Sequence, residues 1–303
     1  GEYETNDGFM TLHKNVEDDE YFLQLDKNDL EKEFIYFAYV LNAPQAAGVR
    51  GGAIGQGAVL EFRRFKDEIA LFKKNTNFSN ETDNNIGKAD LTNIMEAFLD
   101  SFEVVVEEGE SIVISVSDLF LSETLTSVSP NLPREYRDFV DLDLGRLDDD
   151  KTFINQVRNY PKNTAVEVTF GFSNPKPNQR NAVYAVADAR FTSIVARHLF
   201  VEMPDDQFNT RVADQRVGYF SQRVTDLSTY DNYPQRDLIN KWRLIKKDPE
   251  AELSEPVNPI VFWVEKSTPE EIKPMVVKGI EAWNLAFERA GFKNAIVAKI
   301  QPD

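Results

Sequence analysis

The 303-residue chain contains no cysteine. That excludes a disulfide, a thiolate metal site and a cysteine nucleophile. Histidine is almost as scarce, with His13 and His198 far apart in the chain. The common zinc-protease pattern puts two histidines four apart on one helix, and neither residue has that setting. Spacing alone leaves a Ser-His-Asp arrangement open, yet no G-x-S-x-G elbow supports one. Both histidines are therefore expected in surface or core packing roles. Basic residues are outnumbered, 34 Lys and Arg against 51 Asp and Glu, which leaves a net charge of −17. A polyanion partner needs clustered cations, so the balance argues against nucleic acid and against anionic lipid. No apolar run approaches the ~20 residues of a membrane-spanning helix, so no transmembrane segment is expected. The chain begins at Gly1 without methionine, which fits a processed or an engineered start, the former compatible with removal of an export signal.

What is present is enough for packed cores: 42% of residues are hydrophobic, and the length favours two domains. Strand-like runs dominate the first two hundred residues. Phe9–His13, Tyr21–Leu25 and Phe34–Leu41 are rich in aromatic and β-branched residues. Ala58–Phe65 and Ile69–Phe72 flank a charged turn and read as a hairpin, as do Ser101–Glu107 and Ser111–Ser117 around Gly109. Val166–Phe172, Val183–Val186 and Phe191–Met203 continue the pattern. Ile94–Asp100 reads as a short helix or connector, and Phe153–Tyr160 reads as a helix stopped by Pro161.

Three stretches invite a chemical reading. Gly48–Gly57 holds five glycines, but no Lys-Ser/Thr pair follows and a strand comes next, so a tightly turning loop bordering a cleft is expected rather than a phosphate cradle. Asp141, Asp143, Asp148, Asp149 and Asp150 lack the register of a calcium loop and read as a solvated acidic segment. In RVADQRVGYF, residues 211–220, Arg211, Asp214 and Arg216 can form a fork-type ion-pair network, with the Tyr219 hydroxyl nearby. These four are candidate cleft-facing residues, against a plainer role as a clamp that orders the loop. On its own residues the chain offers no active site.

The last stretch is the most organised. Ile260–Val264 is a continuous apolar run suited to a strand covered on both faces. Thr268, Pro269 and Glu271 carry a helix start, and Pro274 conflicts with a regular first turn. Ile272, Val276, Ile280, Trp283, Phe287 and Ala290 form one stripe, Gly291 ends the helix, and Ala295–Ile300 returns as a strand. A right-handed strand–helix–strand crossover follows from these lengths. So small a unit leaves apolar surface bare, so Trp263, Trp283 and Phe287 are expected to dock on the preceding domain or a neighbouring chain.

Several blocks together resemble one family. They are GGAIGQGAVLEFRR at 51–64, FLDSFEVVVEEGESIVISVSDLFL at 98–121, GRLDDDKTFINQVRNYPKNTAVEVTF at 145–170, MPDDQFNTRVADQRVGYF at 203–220, and the long block from Lys241 to Ile296. The chain is similar to bacterial, exported, zinc-dependent metalloproteases in which a domain of unknown function precedes a met-zincin catalytic domain. The resemblance implies peptide-bond hydrolysis in the full-length protein, a peptide or protein substrate, a zinc ion, and an exported location. It also implies a downstream catalytic domain as the partner of this region. No H-E-x-x-H occurs in the 303 residues, so no catalytic or metal residue carries over; zinc belongs to the longer protein, and this chain is expected to bind none tightly.

The expectation is thus an α+β, mostly β chain. An antiparallel β-rich accessory domain fills residues 1–250, and a linker with the first strand–helix–strand of a catalytic domain fills 251–303. The alternative is a non-catalytic extracellular module that binds protein or glycan.

Overall fold

The computed structural model describes residues 2–55, 57–79, 94–130, 140–177, 184–204, 208–229 and 231–302. The fold is α+β and mostly β, as expected. The chain forms two compact units, 1–205 with 225–234, and 206–224 with 235–303. The division does not fall at residue 250: the segments 206–224 and 235–250 group with the strand–helix–strand.

The first unit contains β1 (Tyr3–Asn6), β2 (Thr11–Asn15), β3 (Tyr21–Asp26), β4 (Glu33–Asn42), β5 (Ala58–Phe65), β6 (Glu68–Lys73) and β7 (Phe78–Ser79). These are followed by β8 (Ala97–Glu108), β9 (Ser111–Ser115), the short helix α1 (Ser117–Leu121), β10 (Arg146–Leu147), β11 (Phe153–Tyr160), β12 (Asn163–Ser173) and β13 (Phe191–Glu202). Apart from β7, the strands join in the order β1-β2-β3-β9-β8-β6-β5-β4-β13-β12, with β10 and β11 both on the far side of β12. Every pairing in this sheet is antiparallel.

β8 is the corner. Its first half, Ala97–Glu103, pairs with β6, while Val104–Glu108 pairs with β9 across a bulge between Val104 and Val106. A bulge bends the strand and raises its twist, which lets one strand serve two layers. Leu12, Leu23, Leu25, Ile112 and Ile114 from the first layer and Phe34, Tyr36, Leu60, Phe62, Phe170 and Phe200 from the second share one buried core. α1 adds Leu119 and Phe120 to that core. Residues near the outer ends of the two layers also meet. The Phe9 N–H donates to the Tyr160 carbonyl at 2.8 Å, and the Asn159 amide donates to the carbonyls of Asn6 and Met10.

Three expectations change. Phe153–Tyr160 is β11, not a helix. A bulge between Ile154 and Gln156 puts two residues opposite one, so inward Ile154 and Val157 fall three apart and imitate helical spacing. Ala97–Asp100 belongs to β8 rather than to a helix or connector. Val183 lies outside the described residues, and 184–186 form no strand, so β12 runs directly beside β13 in an eleven-residue register.

Charge is gathered on the sheet as well. The Glu61 carboxylate is almost fully buried beside the Arg63 guanidinium. Arg63 also reaches Glu96 at 2.7 Å, and Lys74 bridges Glu96 at 2.6 Å and Glu61 at 3.5 Å. Hydrogen bonds from Arg63 and then Lys74 hold the Glu96 carboxyl down at about 2. A buried carboxylate is tolerated only when paired in this way.

Gly171 sits near the end of β12, where the turn Asp149–Lys151 crosses it. A Cβ there would lie 2.5 Å from the Lys151 carbonyl oxygen. The Asp148 N–H donates to the Gly171 carbonyl at 2.8 Å, and Gly171 N–H donates to the Thr152 hydroxyl at 3.1 Å, so the crossing backbone cannot withdraw cheaply. Gly171→Ala is expected to lower stability by about 1–3 kcal/mol through overpacking. Gly218→Ala, where a Cβ meets nothing within 4 Å, should be near neutral in the same urea titration.

Candidate functional site

Among the described residues, no group of three or more His, Asp or Glu side chains converges as a metal site would require. The two histidines are accounted for by packing and hydrogen bonds. His13 on β2 meets Thr5 Oγ1 through Nδ1 and Gln24 Oε1 through Nε2, each at 2.9 Å. His198 on β13 is fully buried, with Nδ1 2.8 Å from the Tyr36 hydroxyl. The rings of Tyr36, Phe120 and Phe170 surround it. Its Nε2 has no hydrogen-bond partner among the described residues. Burial without a counter-charge pushes the imidazole down to about 4, so it is neutral at pH 7. Burial likewise raises the Tyr36 phenol, which stays protonated. The core packing role stands.

The acidic segment is anchored, not loose. Leu142 and Leu144 are buried, so Asp141 and Asp143 alternate with residues that enter the core. Asp148 is held by Lys151 and the Ser173 hydroxyl. The glycine-rich loop also has a fixed course. Gly52 and Gly55 donate to the carbonyls of Val40 and Ala38 at 2.7 and 2.8 Å, and Gly48 and Gly52 take positive φ. It borders a hollow of about 300 Å³ that Thr126–Pro130 close from the other side. The expectation of a tight turn beside a cleft agrees with this geometry.

The second unit carries the remaining candidates. Its elements are β14 (Ser221–Asp226), β15 (Gln235–Ile239), β16 (Ile260–Val264), α2 (Lys273–Glu281), α3 (Asn284–Arg289) and β17 (Ile296–Ile300). The last two residues of β14 belong to the first unit by contacts, where they pair in parallel with β7. Arg216 and Asp214 form a bidentate pair two residues apart, with Nε 2.9 Å from Asp214 Oδ1. Hydrogen bonds from Arg216 hold Asp214 down at about 2. Arg211 contributes its charge to Asp214 and its carbonyl to the Ile239 N–H, so it ties the segment to β15. Tyr219 is exposed, and no hydrogen bond from its hydroxyl joins the pair. Asp214 and Arg216 thus form the fork, while Arg211 adds charge without an ion pair to Asp214.

Residues 246–256 dock on the end of the helix. The Lys246 ammonium donates to the carbonyls of Ala251 and Glu252 at 2.8 and 3.0 Å, and buried Ser254 exchanges backbone bonds with Gly291 and Lys293. This is an ordered turn where a linker was expected. β16 and β17 pair in parallel. The helix between them is two short helices, the first starting at Lys273 with Pro274 in its first turn. That start satisfies the proline, whose missing N–H is unneeded there.

Trp263 and Trp283 are 57% and 65% exposed. Phe287 is half-buried. The Asn284 amide donates to the Ile296 carbonyl at 2.9 Å and accepts from the Ile296 N–H at 3.0 Å. This clamp turns Val276, Ile280, Asn284 and Phe287 toward the strands and leaves Trp283 beside the stripe, facing out. Trp263 has only Lys299 across the ladder, its ammonium 5.7 Å from the ring.

One hollow was not legible in the sequence. A cavity of about 620 Å³ opens in the first unit between the ends of β3, β4 and β13. Phe34, Phe62, Met10 and Leu25 line it, with Asp29, Lys32, Glu33 and Glu202 among its polar residues. Register alone brings Glu202 opposite Phe34 across the β4–β13 pair, and no local pattern signals that.

Residues 51–247 match the model of a family described as a domain of unknown function (DUF5117). No curated protein and no solved structure matches the chain.

The neutral His198 makes a pH prediction. Below about 6.5 the unfolded chain takes up a proton that the native imidazole refuses down to about 4, so stability should fall as pH drops through that window. Urea midpoints of His198→Phe should lack this component of the slope, whatever its absolute stability.

Proposed function

We propose that this chain, which belongs to the DUF5117 family, is the β-rich accessory region of a zinc-dependent metallopeptidase together with the opening strand–helix–strand of its catalytic domain. The observation that supports this is the bare apolar surface of that last unit. Neither α2 nor α3 has a buried residue, and Phe262, Trp263, Met275, Trp283 and Leu285 are all exposed. Parallel strands occur in sheets covered on both faces, and two strands alone are marginal. Fully burying one such large apolar side chain is worth ~1.5–3 kcal/mol, so this surface favours further strands and helices of one domain. The edge of β17 is engaged, because Asn284 meets Ile296 and the Glu281 carboxylate accepts from the Ala298 N–H at 3.4 Å. β16 pairs with β17 alone among the described residues, which leaves β16 as the side for growth.

Among the described residues neither histidine is placed as a metal ligand: His198 is enclosed by aromatic rings, and His13 is engaged through both ring nitrogens. In this reading the metal, the peptide substrate's scissile bond and the catalytic chemistry belong to the downstream domain, and the protein is exported. The alternative, an extracellular module for protein or glycan, draws on the same exposed aromatics.

Extending the gene product past residue 303 separates the two. The longer protein should hydrolyse a mixed peptide pool, lose activity to a chelator and regain it with zinc, while residues 1–303 bind no stoichiometric zinc by calorimetry. A reading frame that closes without H-E-x-x-H favours the binding module. In the longer protein, Arg216→Ala should reduce peptidase activity while leaving unfolding stability nearly unchanged, the expectation for an exposed pair. Equal losses of activity and stability would instead mark Arg216 as a structural clamp.

A further inference from the structure

The hollow beside the glycine-rich loop takes no part in the reading above and lies wholly within the first unit. Its volume of about 300 Å³ is at the lower end for small-molecule sites, which combine apolar walls with a few polar groups. Both walls are fixed in advance. On one side Arg50–Ala53 is a β-turn: the Ala53 N–H donates to the Arg50 carbonyl at 3.1 Å, and Gly52 has the positive φ that a type II turn needs. That turn is seated on β4, where Gly52 N–H donates to the Val40 carbonyl at 2.7 Å and Val40 N–H to the Ala53 carbonyl at 2.9 Å. The other wall is wrapped around Glu123. Its carboxylate accepts from the N–H groups of Val128 and Ser129 at 2.7 and 2.6 Å and from the hydroxyls of Ser127 and Ser129. Four donors occupy the acceptor sites of that carboxylate, and Glu123 is not among the lining residues.

The charge of the hollow has one sign. Among the described residues that line it, Arg50 alone is charged. In the same unit Arg63, Arg64, Arg190 and Arg197 each pair with a carboxylate. The Arg50 side chain has neither an ion pair nor a hydrogen bond among the described residues, and the Thr126 hydroxyl is unengaged in the same sense. Acidic residues outnumber basic ones 51 to 34, so a guanidinium without a carboxylate runs against the balance of the chain. An exposed arginine is ordinarily just solvated. Here it adjoins Val40, Val49, Ile54 and Val128, which offer an aliphatic group a preformed place. A guanidinium presents parallel N–H donors that match a carboxylate, which an ammonium or an uncharged head group cannot use.

We propose that this hollow binds an aliphatic carboxylate, its branched body against Val40, Val49, Ile54 and Val128 and its head group held by Arg50, with Thr126 as a second donor. A free acid and the C-terminus of a peptide ending in an aliphatic residue offer the same chemistry. The test is calorimetry on the whole chain with three probes of one carbon skeleton: 4-methylpentanoate, 4-methylpentanol and 4-methylpentylamine. The carboxylate should bind about tenfold or more tighter than the alcohol, and the ammonium weakest. Arg50→Gln should lose about tenfold in carboxylate affinity and keep its alcohol affinity. Arg50 is an exposed loop residue, so the urea midpoint of that variant should stay where it is. Thr126→Val should lose about threefold, again in the carboxylate alone. Acetyl-leucine set against acetyl-leucinamide separates the two sources. If acetyl-leucine binds at least as tightly as 4-methylpentanoate and the amide does not, the ligand is a peptide C-terminus; if acetyl-leucine binds more weakly, it is a free acid. Equal affinity for the three head groups, preference for the ammonium, no binding at millimolar concentration, or an unaltered Arg50→Gln variant would each overturn the proposal. None of these readouts involves peptide hydrolysis, so failure here leaves the metallopeptidase reading untouched.

Discussion

The division of β8 between two layers is the constraint on which the first unit rests. Half of its residues hydrogen-bond to β6 and half to β9, and the bulge between them turns the strand. Without that turn, Ile112 and Ile114 would not enter the same interior as Phe62 and Leu71. A buried sheet face must be covered by something, and here the chain covers itself with its own continuation. α1 follows β9 directly and fills the interior with Phe120, against His198 and Phe200.

The same closure explains why polar groups survive inside. His198 is tolerated because it is neutral and one ring nitrogen meets Tyr36. Glu61 is tolerated because Arg63 and Lys74 converge on it and on Glu96. A charged residue without such partners would cost several kcal/mol. Where the layers diverge at the ends of β3, β4 and β13, side chains no longer meet across the gap. A hollow with an aromatic floor and a carboxylate rim remains.

The strand–helix–strand unit follows the opposite logic. Its backbone is well organised, with a parallel ladder, Asn284 on the edge of β17 and Lys246 on the turn that precedes β16. Ile260, Val264, Ala295 and Ile296 are buried, but Phe262, Trp263, Trp283 and Leu285 are exposed. Local hydrogen bonding can define two strands and a helix, but burial needs a second layer on each face.

Local pattern alone determined a good deal about this protein. The hairpins around Lys66-Asp67 and Gly109, the strands at Phe34, Val166 and Phe191, the conflict of Pro274 with a regular first turn and the Asp214–Arg216 fork are all short-range features. Each depends on residues within a turn or a few positions of one another, so each was legible. Tertiary structure decided the rest. Ile154 and Val157 look helical until a bulge in a long antiparallel pair sets their spacing, and Trp283 joins the apolar stripe until Asn284 finds the backbone of β17. Phe34 and Glu202 come face to face only through the β4–β13 register. Register, bulges and cross-strand amide bonds bring together residues far apart in sequence. Periodicity within a single segment contains no term for such meetings, and so the cavity, the corner and the outward tryptophans appear only in the folded chain.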